Sequence, residues 1–270
     1  MFSYIYVHDL DPFAIQFTET FGLRWYGLAY MVGFLNGYGL LLRAMKKNWC
    51  SLTDDQAAHL VLIVALSGIA GGRVGYVFLY GWEFFLEDPI YLIKIWEGGM
   101  SIHGGIAGAV GGMFWFCWRT GADFWKITDI AALGTPPGLF FGRIANFING
   151  ELWGRPTSGE WGVIFPRAPG PGVPRHPSQL YEALGEGVFL FLFLLWIQTS
   201  FRKPGRTSSA FLSGYGLVRF VIEFFRAPDP HLGYSLLGMT RGQIYSLLFV
   251  VAGLVMWWYF SSLKKAKKTS

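Results

Sequence analysis

Between Gly142 and Gly154 the chain places Arg143, Asn146, Asn149 and Glu151 at the end of a hydrophobic segment, interleaved with Gly142, Gly150 and Gly154. A guanidinium near the bilayer midplane costs about 2.5–3.5 kcal/mol on insertion scales, so an intramembrane arginine is a functional-site candidate by default. Arg143 and Asn146 are three positions apart and would share one face of a helix. The glycines remove side-chain bulk, so that another helix or a lipid headgroup can come close. A helix end with a snorkelling arginine and a capping asparagine would account for a lone pair of such residues. The density of glycine and polar groups in this block favours a functional site.

A second constellation is Tyr215, Arg219, Glu223 and Arg226, spaced four, four and three apart. On a helix they form one polar stripe along an apolar segment. Charges in a membrane span face the bundle interior and pair with one another, so Glu223 is expected to neutralise Arg219 or Arg226. A purely structural ion pair is the competing reading. His103 stands between Ile102 and Gly104-Gly105, where small neighbours would leave its ring accessible. Its unperturbed pKa of about 6.5 suits a general base near neutral pH. A structural, hydrogen-bonded role is the alternative for a single histidine.

Other chemistries lack their residues. Histidine, cysteine and carboxylate do not recur at metal-ligand spacing, so neither a metal nor another cofactor is expected. There is no Gly-x-Ser-x-Gly elbow for a serine lipase. The two cysteines, Cys50 and Cys117, fall outside the polar motifs and near the expected cytoplasmic side, where a disulfide is disfavoured. If a thiol takes part, the substrate brings it.

The elements that must hold these residues are membrane helices. Of the 270 residues, 53% are hydrophobic and 14% charged, against roughly 25% charged in soluble domains. About 20 apolar residues cross a bilayer as a helix. Seven segments qualify, at roughly 22–42, 57–80, 100–118, 127–147, 178–198, 208–225 and 243–262. The expected fold is therefore an all-α polytopic membrane protein, one transmembrane domain over 1–270. The 151–177 connection, rich in glycine and proline, is expected to form turns and short strands as a small exterior cap. Pro136-Pro137-Gly138 predicts a kink or break in the fourth span.

Met1 to Phe21 carries Asp9, Asp11 and Glu19 without a basic residue, so it reads as an amphipathic or interfacial arm and not as a cleavable signal. The net charge of +5 is distributed as topology. Arg43, Lys46 and Lys47 follow the first span, Arg119 and Lys126 the third, Arg202, Lys203 and Arg206 the fifth, and Lys264, Lys265, Lys267 and Lys268 the seventh. The 81–99 connection instead has Glu83, Glu87, Asp88 and Glu97 against Lys94. This is the positive-inside pattern, with an exterior N-terminus and a cytoplasmic C-terminus. It argues against nucleic acid as a partner.

Small-xxx-small pairs (Gly68/Gly72, Gly71/Gly75, Gly104/Gly108) predict close packing of the second and third spans. By the expected topology Arg143, Arg219, Arg73, His103 and Tyr26 converge on the outer half of the membrane. Arginines gathered there would bind an anionic phospholipid headgroup, since guanidinium matches phosphate oxygens in a bidentate fork.

The 142–154 block also resembles the signature of the bacterial prolipoprotein diacylglyceryl transferase family, matching at Gly142, Arg143, Asn146, Phe147, Asn149, Glu151 and Gly154. Gly98 to Gly105, His176 to Glu182 and Arg219 to Arg226 resemble the same family in order and separation. The resemblance implies transfer of diacylglyceryl from phosphatidylglycerol to the cysteine thiol in the signal peptide of a prolipoprotein, in the bacterial plasma (inner) membrane. It releases glycerol phosphate and needs no cofactor. On this reading Arg143 and Arg219 clamp the phosphate. Asn146 and Glu151 orient Arg143 or bind the glycerol hydroxyls. Tyr26, Tyr215 and Gly154 shape the headgroup pocket, and His103 is the leading base. Glu223, Arg226 and Arg73 support the site. His176, Gln179 and Tyr181 match the family without separate roles. The competing class is an anionic phospholipid transporter or flippase, which would use the same arginines and need access from both faces; a membrane scaffold would leave the intramembrane arginines unexplained.

Overall fold

The computed structural model describes residues 5–18, 22–227 and 238–266, with side chains to 262. Glu19, Lys267, Lys268 and the side chains of Lys264 and Lys265 lie outside the described residues. The chain divides into two compact units, one of residues 38–128 and one of residues 1–37 with 129–270.

The 38–128 unit is built on helices α2 (Asp54–Tyr80) and α4 (Ile102–Thr120), joined by the short α3 (Trp82–Glu87) and two 3-10 turns. A capping box starts α2: Gln56 donates its backbone N–H to the Thr53 hydroxyl at 3.2 Å, and Thr53 returns its own to Gln56 Oε1 at 3.0 Å. The expected glycine contact is present. A methyl group at Gly75 would lie 2.8 Å from the Cα of Gly104, and one at Gly108 3.0 Å from the Cα of Gly71. Side chains at either position would push the helices apart.

The other unit carries the longer polar segments. Helix α1 (Trp25–Lys46) begins in it, and α5 (Phe124–Ile148) runs through Pro136 and Pro137 as one helix, so of the expected kink or break the break does not occur. A continuous helix over Ser178–Ser200 follows. It consists of α6 (Ser178–Glu182), a π-helical segment (Ala183–Phe189) and α7 (Leu190–Ser200). Gly185 and Gly187 let neighbours approach the π segment: added methyls would lie 2.7 Å from Val218 and 2.6 Å from Phe140. Helices α8 (Arg206–Ile222) and α9 (Arg241–Ala266) complete the unit. The Asp129 carboxylate caps α8, accepting from the backbone N–H of Gly205 at 2.8 Å and of Ser208 at 2.7 Å.

Four described helices are long and apolar enough to cross a membrane: Trp25–Lys46, Asp54–Tyr80, Ser178–Ser200 and Arg241–Ser262. The protein is mostly helical, but "all-α" needs correction. Strand β1 (Tyr6–Val7) pairs in parallel with β4 (Val163–Ile164), which pairs antiparallel with β5 (Pro174–Arg175). Strands β2 (Phe13–Gln16) and β3 (Gly22–Arg24) form a separate antiparallel pair. The 151–177 segment is too broken by proline and glycine for a helix, so its backbone groups pair across strands instead. The N-terminal arm supplies one of those strands. His8, 7% exposed, also bonds the Phe147 carbonyl oxygen through Nε2 at 2.7 Å. Val163, Phe165 and Ala168 form a small apolar core with Phe147 and Trp153.

Candidate active site

Arg143 from α5, Arg219 from α8 and Arg226 from just past the end of α8 converge on the fully buried carboxylate of Glu182, and the first two also reach that of Glu186. Arg143 lies five residues before the end of α5, Glu182 closes α6, Glu186 sits inside the π segment, and Arg219 is in the last turn of α8. Glu182 is the hub. Its carboxylate lies 2.9 Å from Arg143 Nη2, 3.0 Å from Arg219 Nη1 and 3.3 Å from Arg226 Nη1. Glu186 stands farther off, 3.4 Å from Arg143 Nη2 and 3.7 Å from Arg219 Nη1. Glu223 pairs with Arg219 Nη2 at 3.1 Å and accepts from the Thr240 hydroxyl at 3.0 Å. Side chains of Glu182 and Glu186 are 0% exposed, while those of Arg143 and Arg219 keep 18% and 16%. Among the described residues three guanidiniums thus meet three carboxylates, one for one. π-helical turns are frequent at functional sites, and here one carries Glu186.

The sequence-predicted residues separate into groups. Arg143, Arg219, Glu223 and Arg226 meet in this cluster, with Tyr215 one turn before Arg219. The Tyr215 ring stacks on Phe211 (centroids 5.8 Å apart, planes at 16°). Asn146 and Glu151 bond each other: Asn146 Nδ2 donates to Glu151 Oε1 at 2.8 Å, and Asn149 Nδ2 donates to the same oxygen at 3.3 Å. Among the described residues neither is hydrogen-bonded to Arg143, whose carboxylate partners Glu182 and Glu186 are on the Ser178–Ser200 helix. The turn carrying Glu151 is held by α6, because Gln179 Nε2 donates to the Glu151 carbonyl at 2.6 Å and the Ser178 hydroxyl to that of Leu152 at 3.1 Å.

Gly154 serves through its backbone. Its N–H donates to the His176 carbonyl at 2.9 Å, and an added methyl would lie 2.5 Å from the Phe225 carbonyl oxygen. His176 Nδ1 is 3.2 Å from the Tyr181 hydroxyl, and its ring packs edge-on to Phe225. Burial pushes the His176 imidazole below its usual range, favouring the neutral ring. Tyr26, on α1, packs against Tyr30 with ring centroids 5.2 Å apart.

Arg73 and His103 belong to the 38–128 unit. Arg73, 2% exposed, donates to the carbonyls of Leu92 and Gly99 at 3.2 Å each, and to those of Gly98 and Tyr91. Gly98 and Gly99 turn these carbonyls toward it with φ of 82° and 79°. His103 is exposed on the first turn of α4.

Sequence reasoning missed the carboxylates. Glu182 stood within a quoted motif and Glu186 four residues on, both inside an apolar segment. The rule that singled out the arginines, that ionisable groups in a span are costly and paired, applies equally to them. His8 and Asp129 gave no such signal, because their partners lie 139 and at least 76 positions away.

A sequence model of the family described as prolipoprotein diacylglyceryl transferase matches residues 12–259. The chain belongs to that family. Among its relatives, a Vibrio parahaemolyticus protein is 43% identical over 267 residues, covering 98% of this chain and 97% of its own. One from Pseudoalteromonas atlantica is 46% identical, covering 94% and 90%. A Coxiella burnetii relative is 44% identical, covering 95% and 98%. All three bear the name phosphatidylglycerol–prolipoprotein diacylglyceryl transferase. The arginine–glutamate cluster and the Asn146–Glu151 turn both fall within the family match.

Proposed function

We propose that the chain transfers the diacylglyceryl group of phosphatidylglycerol to the cysteine thiol in the signal peptide of a prolipoprotein, the first step of lipoprotein maturation. Family membership over nearly the whole chain supports the reaction. The observation that carries the site is the buried cluster of Arg143, Arg219 and Glu182. Guanidiniums held in place beforehand can receive phosphate oxygens without reorganising during the reaction.

The step is alkylation at carbon. The thiolate sulfur attacks the glyceryl carbon that bears the phosphoryl oxygen. An S–C bond forms, the C–O bond breaks, and its electron pair leaves with glycerol phosphate. Arg143 and Arg219 hold the phosphate and stabilise the charge growing on the departing oxygen. His103 takes the thiol proton; a free thiol has a pKa of about 8.5 and is mostly protonated at neutral pH. Asn146 and Glu151 bind the glycerol hydroxyls, and Tyr26 and Tyr215 bound the headgroup pocket. Gly154 lets the backbone close beneath it. Glu223 and Arg226 hold the clamp in register, and Arg73 shapes the turn before His103.

The chain acts as one transmembrane domain in the bacterial plasma membrane, spanning it seven times, with the N-terminus outside, the C-terminus in the cytoplasm and 151–177 as an exterior cap. The alternation of basic and acidic connections supports that orientation. The test is purified protein in phosphatidylglycerol micelles with a synthetic lipobox peptide. A mass gain of one diacylglyceryl group on the Cys peptide and none on its Cys→Ser control is expected, with glycerol phosphate released. Lipid binding without any mass gain would replace the transferase with a transporter. Retained turnover in His103→Gln alongside its loss in Arg143→Ala would remove the histidine base.

A further inference from the structure

We propose that Glu186 takes up a proton when the anionic phosphodiester headgroup enters the arginine cluster, so that lipid binding and neutralisation of this carboxylate are one coupled event. The proposal rests on the reading above that a phospholipid phosphate binds Arg143 and Arg219. It starts from a charge count. Among the described residues, with all six groups ionised, Arg143, Arg219 and Arg226 balance Glu182, Glu186 and Glu223. A phosphodiester monoanion added to a neutral, buried cluster leaves one uncompensated negative charge, which a low-dielectric site tolerates poorly. The inexpensive remedy is one proton.

The geometry selects the acceptor. Glu182 is gripped by three guanidiniums at 2.9, 3.0 and 3.3 Å. Glu223 has Arg219 at 3.1 Å and the Thr240 hydroxyl at 3.0 Å. Glu186 has the longest contacts, 3.4 and 3.7 Å, which sets it apart. Its Oε1 lacks a hydrogen-bond partner among the described residues, as does Glu223 Oε2, but the latter has Arg219 Nη2 at 3.1 Å. Its cationic partners, Arg143 from α5 and Arg219 from α8, are the two groups the phosphate would engage. The other ionisable groups facing it are Tyr215 on α8 and Glu182 one turn earlier on its own helix. As the phosphate draws the guanidiniums off, Glu186 is left 0% exposed beside a second anion. The proton comes from bulk solvent, where the buffer gives it up, and the resulting O–H can donate to a phosphate oxygen or to Glu182.

The test is calorimetric titration of the full-length protein in detergent with dihexanoyl phosphatidylglycerol, in buffers of different ionisation enthalpy and across pH. Wild type is expected to take up about one proton per lipid, with affinity rising about tenfold per unit fall in pH while Glu186 is ionised in the free protein. Glu186→Gln, an uncharged mimic, is expected to bind without proton uptake and with affinity independent of pH. Wild-type binding with no proton uptake would overturn the proposal and leave the transferase reading intact. So would a Glu186→Gln protein that still takes up the proton, or one that folds but no longer binds. If that variant does not fold, lipid-difference infrared spectra of wild type decide: a new protonated-carboxyl band is expected, and its absence overturns the coupling. No lipid binding by wild type at all would sink the underlying reading as well.

Discussion

Arg73 and Arg143 are the same residue type in the same kind of apolar helix, yet their surroundings differ in kind. Arg73 is enclosed by backbone carbonyls of the 91–99 turns, with its guanidinium 4.6 Å from the Tyr91 ring centroid. Removing it from that cage would undo the turns. Arg143 is held by two carboxylate side chains instead, at 2.9 and 3.4 Å, and an ionic partner is the kind that a substrate anion can compete with. A buried arginine is therefore not a functional residue by burial alone. What matters is whether its partner can be replaced by a substrate.

That contrast can be broken most directly at Arg143 and Arg219. Replacing either with alanine should lower kcat by about 10²–10³-fold, the scale for losing one preorganised charge-stabilising donor. Arg143→Lys should recover only part, because it keeps the charge and loses the planar fork. Single-turnover mass spectrometry of the lipobox peptide measures both. Wild-type rates in Arg143→Ala would end the phosphate-clamp assignment. Arg73→Met should act chiefly on stability. Leaving those carbonyls without a donor costs about 1–3 kcal/mol, read as a lower thermal midpoint in detergent. Its turnover per folded molecule should fall far less than that of Arg143→Ala. A variant of normal stability but dead in turnover would make the two arginines alike.

Smaller effects sharpen the picture outside the cluster. Asp129→Ala removes the cap of α8 and should cost about 0.5–2 kcal/mol by thermal unfolding, with lipid affinity little changed. His176 should contribute the least. Its folded pKa is depressed by burial, so its stabilising contribution is present above the unfolded value of about 6.5 and is lost as pH falls through the folded value. Melting curves from pH 7 downward should fall more steeply for wild type than for His176→Gln. Superimposable curves would show that the ring does not report its burial.

The helices were legible because their signal is local. The expected segments 57–80 and 178–198 correspond to helices at Asp54–Tyr80 and Ser178–Ser200, since an apolar run of sufficient length specifies a helix without reference to the rest of the chain. The expected Tyr215–Arg226 stripe holds as far as Glu223, which caps α8 at its C-terminus, while Arg226 lies past the helix end, bridged to Gly154. The 142–154 block and the family resemblance were equally readable, being residue types at fixed spacing. Partner choice was not. The sequence offered Glu223 to Arg219 or Arg226, as neighbours on one helix. The structure keeps Glu223 on Arg219 and brings in Glu182 from 37 positions away and Glu186 from 43 positions beyond Arg143. Only the tertiary structure decided that Arg73 faces carbonyls, that Gly154 is a backbone crossing, and that the N-terminal arm is a strand of the 151–177 sheet. Each depends on which distant backbone or charge arrives beside the residue. Local spacing carries no record of that, because burial makes every polar group find a partner but does not say which one.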